Sequence, residues 1–216
     1  MITVKKDAIK FKTPDGMQSS GVICNVGRVG DYSRYAKIIQ FTDESELPKK
    51  VVLNLDAVTS LNALCSNTSV EELTINLKKT CTTMHRMIYP TKANSLKKIV
   101  LNFSTASVTN FQQAFCWIYT VGAEIIGELD FSSATTLTTP FAYSYGLTEV
   151  RFAKETLKMS LSINACKLLS DKSIQSIIDG LAQVETSQTI TFHADVKAKL
   201  TDEQKSQITS KNWTIA

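Results

Sequence analysis

Two short groups of aromatic residues are the strongest candidates in this sequence for contact with a ligand. They are the run Phe115–Tyr119, which contains Trp117, and the pair Tyr143 and Tyr145. An exposed Trp or Tyr side chain offers a flat apolar ring with a polar tip, which suits both sugars and protein interfaces. The alternative is that these rings pack between neighbouring segments of the fold. The candidate binding residues are therefore Trp117, Tyr119, Tyr143 and Tyr145.

A basic stretch without any carboxylate is the second candidate. Residues 73–123 contain no Asp or Glu, and six basic residues give them a local charge of +6: Lys78, Lys79, Arg86, Lys92, Lys97 and Lys98. This charge indicates either a solvated flank or a surface that attracts an acidic partner, such as an anionic wall polymer or an acidic protein face. Lys97 and Lys98, together with the aromatic run, are the residues that we expect to make such a contact.

The remaining reactive residue types form no recognisable catalytic or metal-binding pattern. His85 and His193 belong to no H-E-x-x-H motif, and the sequence contains no G-x-S-x-G motif and no glycine-rich phosphate loop. The five cysteines are irregularly spaced and include no C-x-x-C pair, which predicts buried reduced thiols rather than disulfides or a zinc site. We therefore predict a non-enzymatic protein with no catalytic residue, cofactor or metal ion.

Composition and charge disfavour two classes of partner. The net charge is +4, and Lys and Arg occur in runs of no more than two, whereas nucleic-acid-binding proteins concentrate charge on one face. No stretch reaches the ~18 consecutive apolar residues of a membrane helix. The charged start, Met1–Lys6, does not resemble a signal peptide. We expect neither a nucleic-acid nor a membrane partner.

A short phrase that recurs along the chain indicates how these residues are positioned. Leu101–Ala106 (LNFSTA) returns as Leu129–Ala134 (LDFSSA). Similar apolar–polar–apolar triplets are Leu53–Leu55, Ile75–Leu77, Val150–Phe152 and Ile190–Phe192. The first five triplets are centred on positions 54, 76, 102, 130 and 151. A period of roughly 20–29 residues is typical of leucine-rich repeats, in which each unit buries its apolar face only against its neighbours.

The alternation within the triplets predicts which side chains face the interior. One column inside the fold should consist of Leu53, Ile75, Leu101 and Leu129. The residue after each should point to the opposite face, namely Asn54, Asn76, Asn102 and Asp130. The predicted fold class is α/β: a leucine-rich-repeat solenoid with a β-rich N-terminal cap and an α/β C-terminal cap.

Three segments of the chain differ in their pattern. Residues 1–46 carry short alternating groups near Ile2, Ile9 and Ile38, which predict the β-rich N-terminal cap or a separate attachment segment. Residues 47–168 hold the irregular repeats. Residues 169–216 form the C-terminal cap, with these predicted elements: a helix from Ser170 or Asp171, a strand over Thr189–Phe192, a helix that begins after Thr201 and ends near Asn212, and a last strand at Trp213–Ile215.

Two parts of the chain resemble a known family. The units Leu96–Ile99 and Leu147–Val150 resemble the irregular leucine-rich repeats of BspA-like proteins. Each unit is followed by a segment that contains Phe and leads on to the next repeat, which we call a return arm. Residues 168–182 and 193–214 resemble the C-terminal segment that often follows such repeats in proteins of Firmicutes and their phages. The resemblance covers about 70–216, and no catalytic residues come with it.

The resemblance implies an interaction or structural role. BspA-like proteins are associated with binding host matrix proteins or other cell-surface partners, and the phage versions look like virion or tail components. We expect a component of a phage or prophage tail module, in the virion or the cytoplasm, in contact with other virion proteins. The alternative is a bacterial cell-surface or host-binding protein. In either setting the expected partner is a protein or a cell-surface glycan, and the basic stretch would suit an acidic one.

Overall fold

The computed structural model describes residues 21–26, 50–55, 58–62, 64, 70–88 and 95–216. The strands predicted near Ile2, Ile9 and Ile38 lie outside these residues. Within the described ranges the chain is an α/β protein with a parallel sheet, which confirms the predicted class. None of the helices in these ranges has the length and apolar character that crossing a bilayer requires.

The main sheet consists of parallel strands that follow one another in chain order. Its strands are β2 (Lys50–Leu55), β3 (Glu72–Leu77), β4 (Lys98–Asn102), β5 (Ala123–Leu129) and β6 (Leu147–Phe152), with β1 (Gly21–Val26) added at the β2 edge. Buried residues alternate with more exposed ones in β2 to β4, because one face of the sheet covers the core. Strand β1 lies within the segment predicted as the N-terminal cap, yet it continues the same sheet.

Three predicted members of the inner column lie in register, whereas Leu129 is buried but pairs with Phe152 of β6 and not with Leu101. The four predicted members are each at most 4% exposed: Leu53, Ile75, Leu101 and Leu129. The register pairs Leu53 with Ile75, and Ile75 with Leu101. Close packing of these side chains holds each strand against its neighbours.

The opposite face of the sheet carries an amide ladder formed by Asn54, Asn76 and Asn102. Asn102 Nδ2 donates to Asn76 Oδ1, and Asn76 Nδ2 donates to Asn54 Oδ1, each over 2.7 Å. The three amides follow the predicted alternation. Each is bonded to its equivalent in the neighbouring strand, so the ladder favours one register of the sheet.

Asp130 takes a different place from the other predicted members of this face. The pairing of β4 with β5 ends at Val100–Ile126, just before Gly127, whose φ is +114°. A Cβ at Gly127 would lie 2.8 Å from the carbonyl oxygen of Leu101, so this close approach requires glycine. Asp130 follows the end of β5, and its carboxylate accepts a hydrogen bond from the backbone of Ser132 (2.8 Å).

A second column of parallel bridges joins the return arms, the segments that lead from one strand of the main sheet to the next. The bridged pairs are Ser60–Thr83, Thr83–Asn110 and Asn110–Thr136. Beside them, the hydroxyls of Thr82, Thr109 and Thr135 each donate to a threonine carbonyl of the preceding arm, over 3.1–3.2 Å. Each arm is therefore bonded to residues 23 to 27 positions earlier in the chain.

Helix α1 (Asp171–Gly180) covers the β6 edge of the main sheet. Ser173 Oγ accepts a hydrogen bond from the backbone N–H of Val150 (2.9 Å), and Ser176 Oγ accepts one from that of Phe152 (3.0 Å). Two serine hydroxyls thus bind backbone groups that a further strand would otherwise bind. An uncovered strand edge can pair with another chain, and α1 prevents this at β6.

A second, three-stranded parallel sheet spans the predicted boundary at residue 168, with its first strand in the range assigned to the repeats and the other two in the C-terminal cap. Its strands are β7 (Leu161–Ile163), β8 (Gln188–Phe192) and β9 (Trp213–Ile215). The sequence predicts β8 and β9 but not β7. Trp213 is 2% exposed, and its Nε1 donates to the carbonyl of Ala182 (2.8 Å), so the polar tip of the buried ring has a partner.

Cap residues locate the two longer C-terminal helices correctly. Helix α1 begins after Ser170, and α3 (Asp202–Ser210) begins after Thr201, which forms a complete capping box with Gln204. Helix α3 ends two residues before the predicted Asn212. The short helix α2 (Ala194–Lys197) is not predicted from the sequence.

We expect Leu101→Asp to unfold the protein. A carboxylate without a partner in the inner column costs several kcal/mol, which is comparable with a whole domain stability of roughly 5–15 kcal/mol. The cooperative thermal transition in circular dichroism should disappear, whereas Ser107→Asp, at an exposed position, should retain it. A soluble Leu101→Asp protein that still unfolds cooperatively would contradict this inner column.

Replacing both Ser173 and Ser176 with alanine should destabilise the fold without preventing it. Each change leaves a backbone N–H of β6 without its partner, at about 1–3 kcal/mol per buried group. The urea midpoint of unfolding should fall, while its m-value stays the same. Ser206→Ala, on an exposed position of α3, is the matched control and should leave the midpoint unchanged. An unshifted midpoint in the double variant would mean that α1 is not needed at this edge.

Candidate functional site

The four candidate aromatic residues lie together in one group, which we call the aromatic cluster: Trp117, Tyr119, Tyr143 and Tyr145. The first two come from the return arm before β5, and the last two from the arm before β6. Trp117 stacks on Tyr143, with ring centroids 4.4 Å apart and 28° between the ring planes. Tyr119 lies 5.6 Å from Tyr145 and 6.0 Å from Trp117, centroid to centroid. Tyr143 and Tyr145 are 6.4 Å apart, so each ring neighbours two others.

The two rings of the later arm are the accessible ones. Tyr143 is 46% exposed and Tyr145 is 39% exposed. Trp117 and Tyr119 are half-buried. The earlier arm therefore supplies a base of packed rings, and the later arm presents ring surface to solvent.

The cluster belongs to a three-ring pattern that occurs twice. One arm carries Phe115, Trp117 and Tyr119 at alternate positions, and the next arm carries Phe141, Tyr143 and Tyr145 with the same alternation. The two phenylalanines stack with centroids 5.6 Å apart and 12° between planes, and both are buried. The F-x-(W/Y)-x-Y pattern therefore recurs in two return arms. It is the feature of the sequence that indicates the cluster, and it lies outside the phrases that repeat in the strands.

The backbone at two of the rings has an unusual conformation. Trp117 has φ +67° and Tyr143 has φ +60°, both in the left-handed region. For residues other than glycine this conformation costs on the order of 1–3 kcal/mol, and it persists where the surrounding structure enforces it. Gln113 and Thr139 of the same two arms also have positive φ, so the conformation belongs to the turns of the arms. The backbone N–H of Trp117 donates to the carbonyl of Ala142 (2.9 Å), which ties the two arms together at this point.

Two small residues hold the arms close enough for the rings to meet. The fully buried Ser144 donates through Oγ to the carbonyl of Phe115 (2.6 Å) and accepts from the backbone N–H of Ile118 (3.4 Å). Gly146 lies directly against the earlier arm, because a Cβ at this position would be 2.3 Å from the carbonyl oxygen of Thr120. A larger residue at position 146 would push apart the segments that carry Tyr119 and Tyr145.

The polar groups of the cluster are hydroxyls rather than charges. Burial, followed by the neighbouring phenols of Tyr145 and Tyr143, raises the pKa of Tyr119 above the ordinary value of 10.0. Like other phenols, Tyr119 is protonated at neutral pH and can both donate and accept hydrogen bonds. Burial also raises the pKa of the Cys116 thiol, beside Trp117, to about 11. That thiol is not a nucleophile at neutral pH.

Lys97 and Lys98 do not join the aromatic cluster. Lys97 Nζ lies 2.8 Å from Glu71 Oε2, and Lys98 Nζ lies 3.5 Å from Glu124 Oε1. The two glutamates lie just outside the acid-free stretch 73–123 in the sequence, but the stacking of the segments brings them against it. These partly exposed pairs contribute only about 0–1 kcal/mol each, yet they offset part of the positive charge that the sequence suggests.

The described histidines and cysteines make contacts that are typical of residues with a structural role. His193 caps α2, its Nδ1 accepting a hydrogen bond from the backbone N–H of Asp195 (3.2 Å). Burial, then the neighbouring Arg86 charge, lowers the pKa of His85. Three cysteines are buried and unpaired, as predicted for reduced thiols: Cys81, Cys116 and Cys166. In the described ranges no three His, Cys, Asp or Glu residues are grouped so that they could hold a metal ion.

A hollow of about 590 Å³ lies where α1 meets the main sheet. Its lining includes Lys154 and Lys172 together with Glu128 and Asp179, so the charges are mixed. Gln175, which also lines it, is already bonded to Asp179 (2.9 Å) and to the side chains of α3. The aromatic cluster is therefore the more specific candidate site.

Comparison with protein-family models, with curated proteins and with solved structures finds no match for this chain. The described residues themselves define an α/β protein whose parallel strands follow chain order and whose return arms carry a partly exposed aromatic cluster. The function must therefore be argued from these residues.

Ser144→Ala should loosen the aromatic cluster while the protein stays folded. The change removes a buried hydroxyl with two partners, at about 1–3 kcal/mol. We expect weaker aromatic signals in near-ultraviolet circular dichroism, because the Trp117 and Tyr143 rings no longer stack closely. The far-ultraviolet spectrum should not change, and Ser133→Ala, at an exposed position, should leave both spectra intact. An unchanged near-ultraviolet spectrum in Ser144→Ala would show that this hydroxyl does not position the rings.

Proposed function

We propose that this chain is a non-enzymatic interaction module built as an irregular leucine-rich-repeat solenoid. Parallel strands in chain order support this architecture, as do the amide ladder and the second column of bridges between the return arms. Solenoids use such stacking to display an extended surface assembled from successive repeats. The BspA-like resemblance of residues 70–216 is consistent with the same architecture.

The aromatic cluster is the proposed contact surface, and its accessibility is the observation that carries the proposal. Tyr143 and Tyr145 expose ring surface although neighbouring phenylalanines of the same pattern are buried. The hydrogen bond from Ser144 Oγ to the carbonyl of Phe115 joins the two arms that carry the rings. A rigid aromatic group with hydroxyl tips loses little entropy on binding and offers both apolar area and hydrogen bonds.

The setting that we propose is a phage or prophage tail module, where the chain would also contact other virion proteins. This choice is supported by the resemblance of the C-terminal segment to proteins of Firmicutes and their phages. A bacterial cell-surface or host-binding protein is the second setting. Contact with a cell surface is a task shared by both, so it is the property to test first.

The described histidines and lysines favour binding over catalysis. His193 serves as a helix cap, and Lys97 and Lys98 pair with Glu71 and Glu124. None of these groups converges with another on one reacting position, as an acid–base pair would. The exposed groups of the cluster are phenols and ring faces, which recognise a partner rather than transform it.

Fluorescently labelled protein should be retained by intact Firmicute cells in a sedimentation assay. The double variant Tyr143→Ala and Tyr145→Ala should reduce retention at least tenfold, because it removes the exposed rings. Ile126→Ala is the matched control, since Ile126 is 39% exposed, like Tyr145, but lies on the sheet face. Absence of retention for the unmodified protein, or equal retention for the double variant, would refute the proposed contact surface.

A lysine variant tests whether the contact surface is the aromatic cluster or the basic stretch. Lys97→Gln with Lys98→Gln removes the two charges without setting glutamates opposite Glu71 and Glu124, as charge reversal would do. Retention that stays constant in this variant supports the cluster alone. Retention that falls in this variant and also weakens with salt would assign the contact to the basic stretch and to an acidic partner.

A further inference from the structure

We infer that the aromatic cluster recognises uncharged sugar rings of a cell-surface glycan, an inference that rests on the proposed contact function. Sugars present apolar C–H faces that stack on aromatic rings, and hydroxyls that exchange hydrogen bonds with polar tips. Tyr143 and Tyr145 offer both kinds of group, since each is an exposed ring ending in a phenol.

The geometry of the two exposed rings suits such a ligand. Their centroids are 6.4 Å apart and their planes stand at 75° to each other, so the rings form a corner rather than a flat plate. A sugar ring that stacks on one face of this corner has the other phenol at its edge. Trp117, stacked on Tyr143 at 4.4 Å, and Tyr119, beside Tyr145 at 5.6 Å, keep the corner rigid.

The groups of the cluster itself favour a neutral ligand over an anionic one, although the charge of Arg86 reaches the neighbouring Cys116 thiol. The cluster contributes phenols and an indole, which carry no charge at neutral pH. The cations that were candidates for an anionic ligand, Lys97 and Lys98, form ion pairs with Glu71 and Glu124. Binding at the cluster should therefore depend little on salt, unlike attraction between exposed opposite charges.

The exposed ring area matches the size of a small ligand. A stable protein interface buries about 800 Å² on each partner. At 46% and 39% exposure, Tyr143 and Tyr145 offer together roughly 130–210 Å², if a whole aromatic side chain provides about 150–250 Å². This area is sufficient to cover one or two sugar units, whereas a protein partner would have to bury surface well beyond these two rings.

The decisive experiment treats the same Firmicute cells in two ways before the labelled protein is added. Periodate cleaves the vicinal diols of glycans, and trypsin removes surface proteins. We expect periodate to reduce retention at least tenfold, and trypsin to change it less than twofold. Raising NaCl from about 50 to about 500 mM, which strongly screens exposed charges, should also change retention less than twofold.

Conservative variants connect the effect to the rings. Tyr143→Phe with Tyr145→Phe keeps the stacking surface but removes the hydroxyls, so retention should fall less than in the double alanine variant.

The neutral glycan fraction released from these cells should quench Trp117 emission, whereas the anionic fraction should not. Trp213, buried at 2% exposure, serves as the unaffected internal reference after subtraction of a Trp117→Phe spectrum.

Each other outcome has a definite meaning. Loss of retention after trypsin but not after periodate would overturn the sugar assignment and indicate a protein ligand, while the proposed contact function would stand. If only the anionic fraction quenched Trp117 emission, and retention fell strongly with salt, the assignment of an uncharged sugar ligand would be overturned. No retention by any untreated cells would refute the proposed contact function itself.

Discussion

The structure depends on one constraint: side chains at equivalent positions of successive segments lie directly beside each other. Parallel strands are about 4.8 Å apart, so a residue meets its counterpart in the next segment. Leucine against isoleucine gives the core, and asparagine against asparagine gives the amide ladder on the opposite face. Threonine against threonine joins the return arms, and ring against ring gives the aromatic cluster. The core and the candidate site therefore have the same geometric origin.

Parts of the fold that depend on local patterns were predictable from the sequence. The inner column follows from alternation, and α1 and α3 follow from their cap residues. Helix α2 has only four residues, too few to show a helical period, and β7 has three residues without the tryptophan that marks the equally short β9. Asp130 departs from its predicted position because Gly127 ends the pairing between β4 and β5, and such a backbone change leaves no trace in an apolar–polar pattern.

Charge and aromatic residues differ in how well the sequence predicts their surroundings. The basic stretch 73–123 contains no acidic residue. Glu71 and Glu124 nevertheless form ion pairs with its lysines, because residues of neighbouring segments lie side by side although they are far apart in the sequence. The residue types alone single out the aromatic candidates, but their assembly becomes visible only when the two arms are aligned with Phe115 opposite Phe141. That alignment, rather than the residue types, is what identifies them as one group.

The aligned arms have a consequence for how such a protein can change through gene duplication. Each arm adds one tier of rings, with Trp117 and Tyr119 in one tier and Tyr143 and Tyr145 in the next. Copying a whole strand with its return arm would add another tier while every existing ladder kept its register. Insertion of a few residues within an arm would instead break the alignment of the rings. The length of the ring surface can therefore change in whole segments.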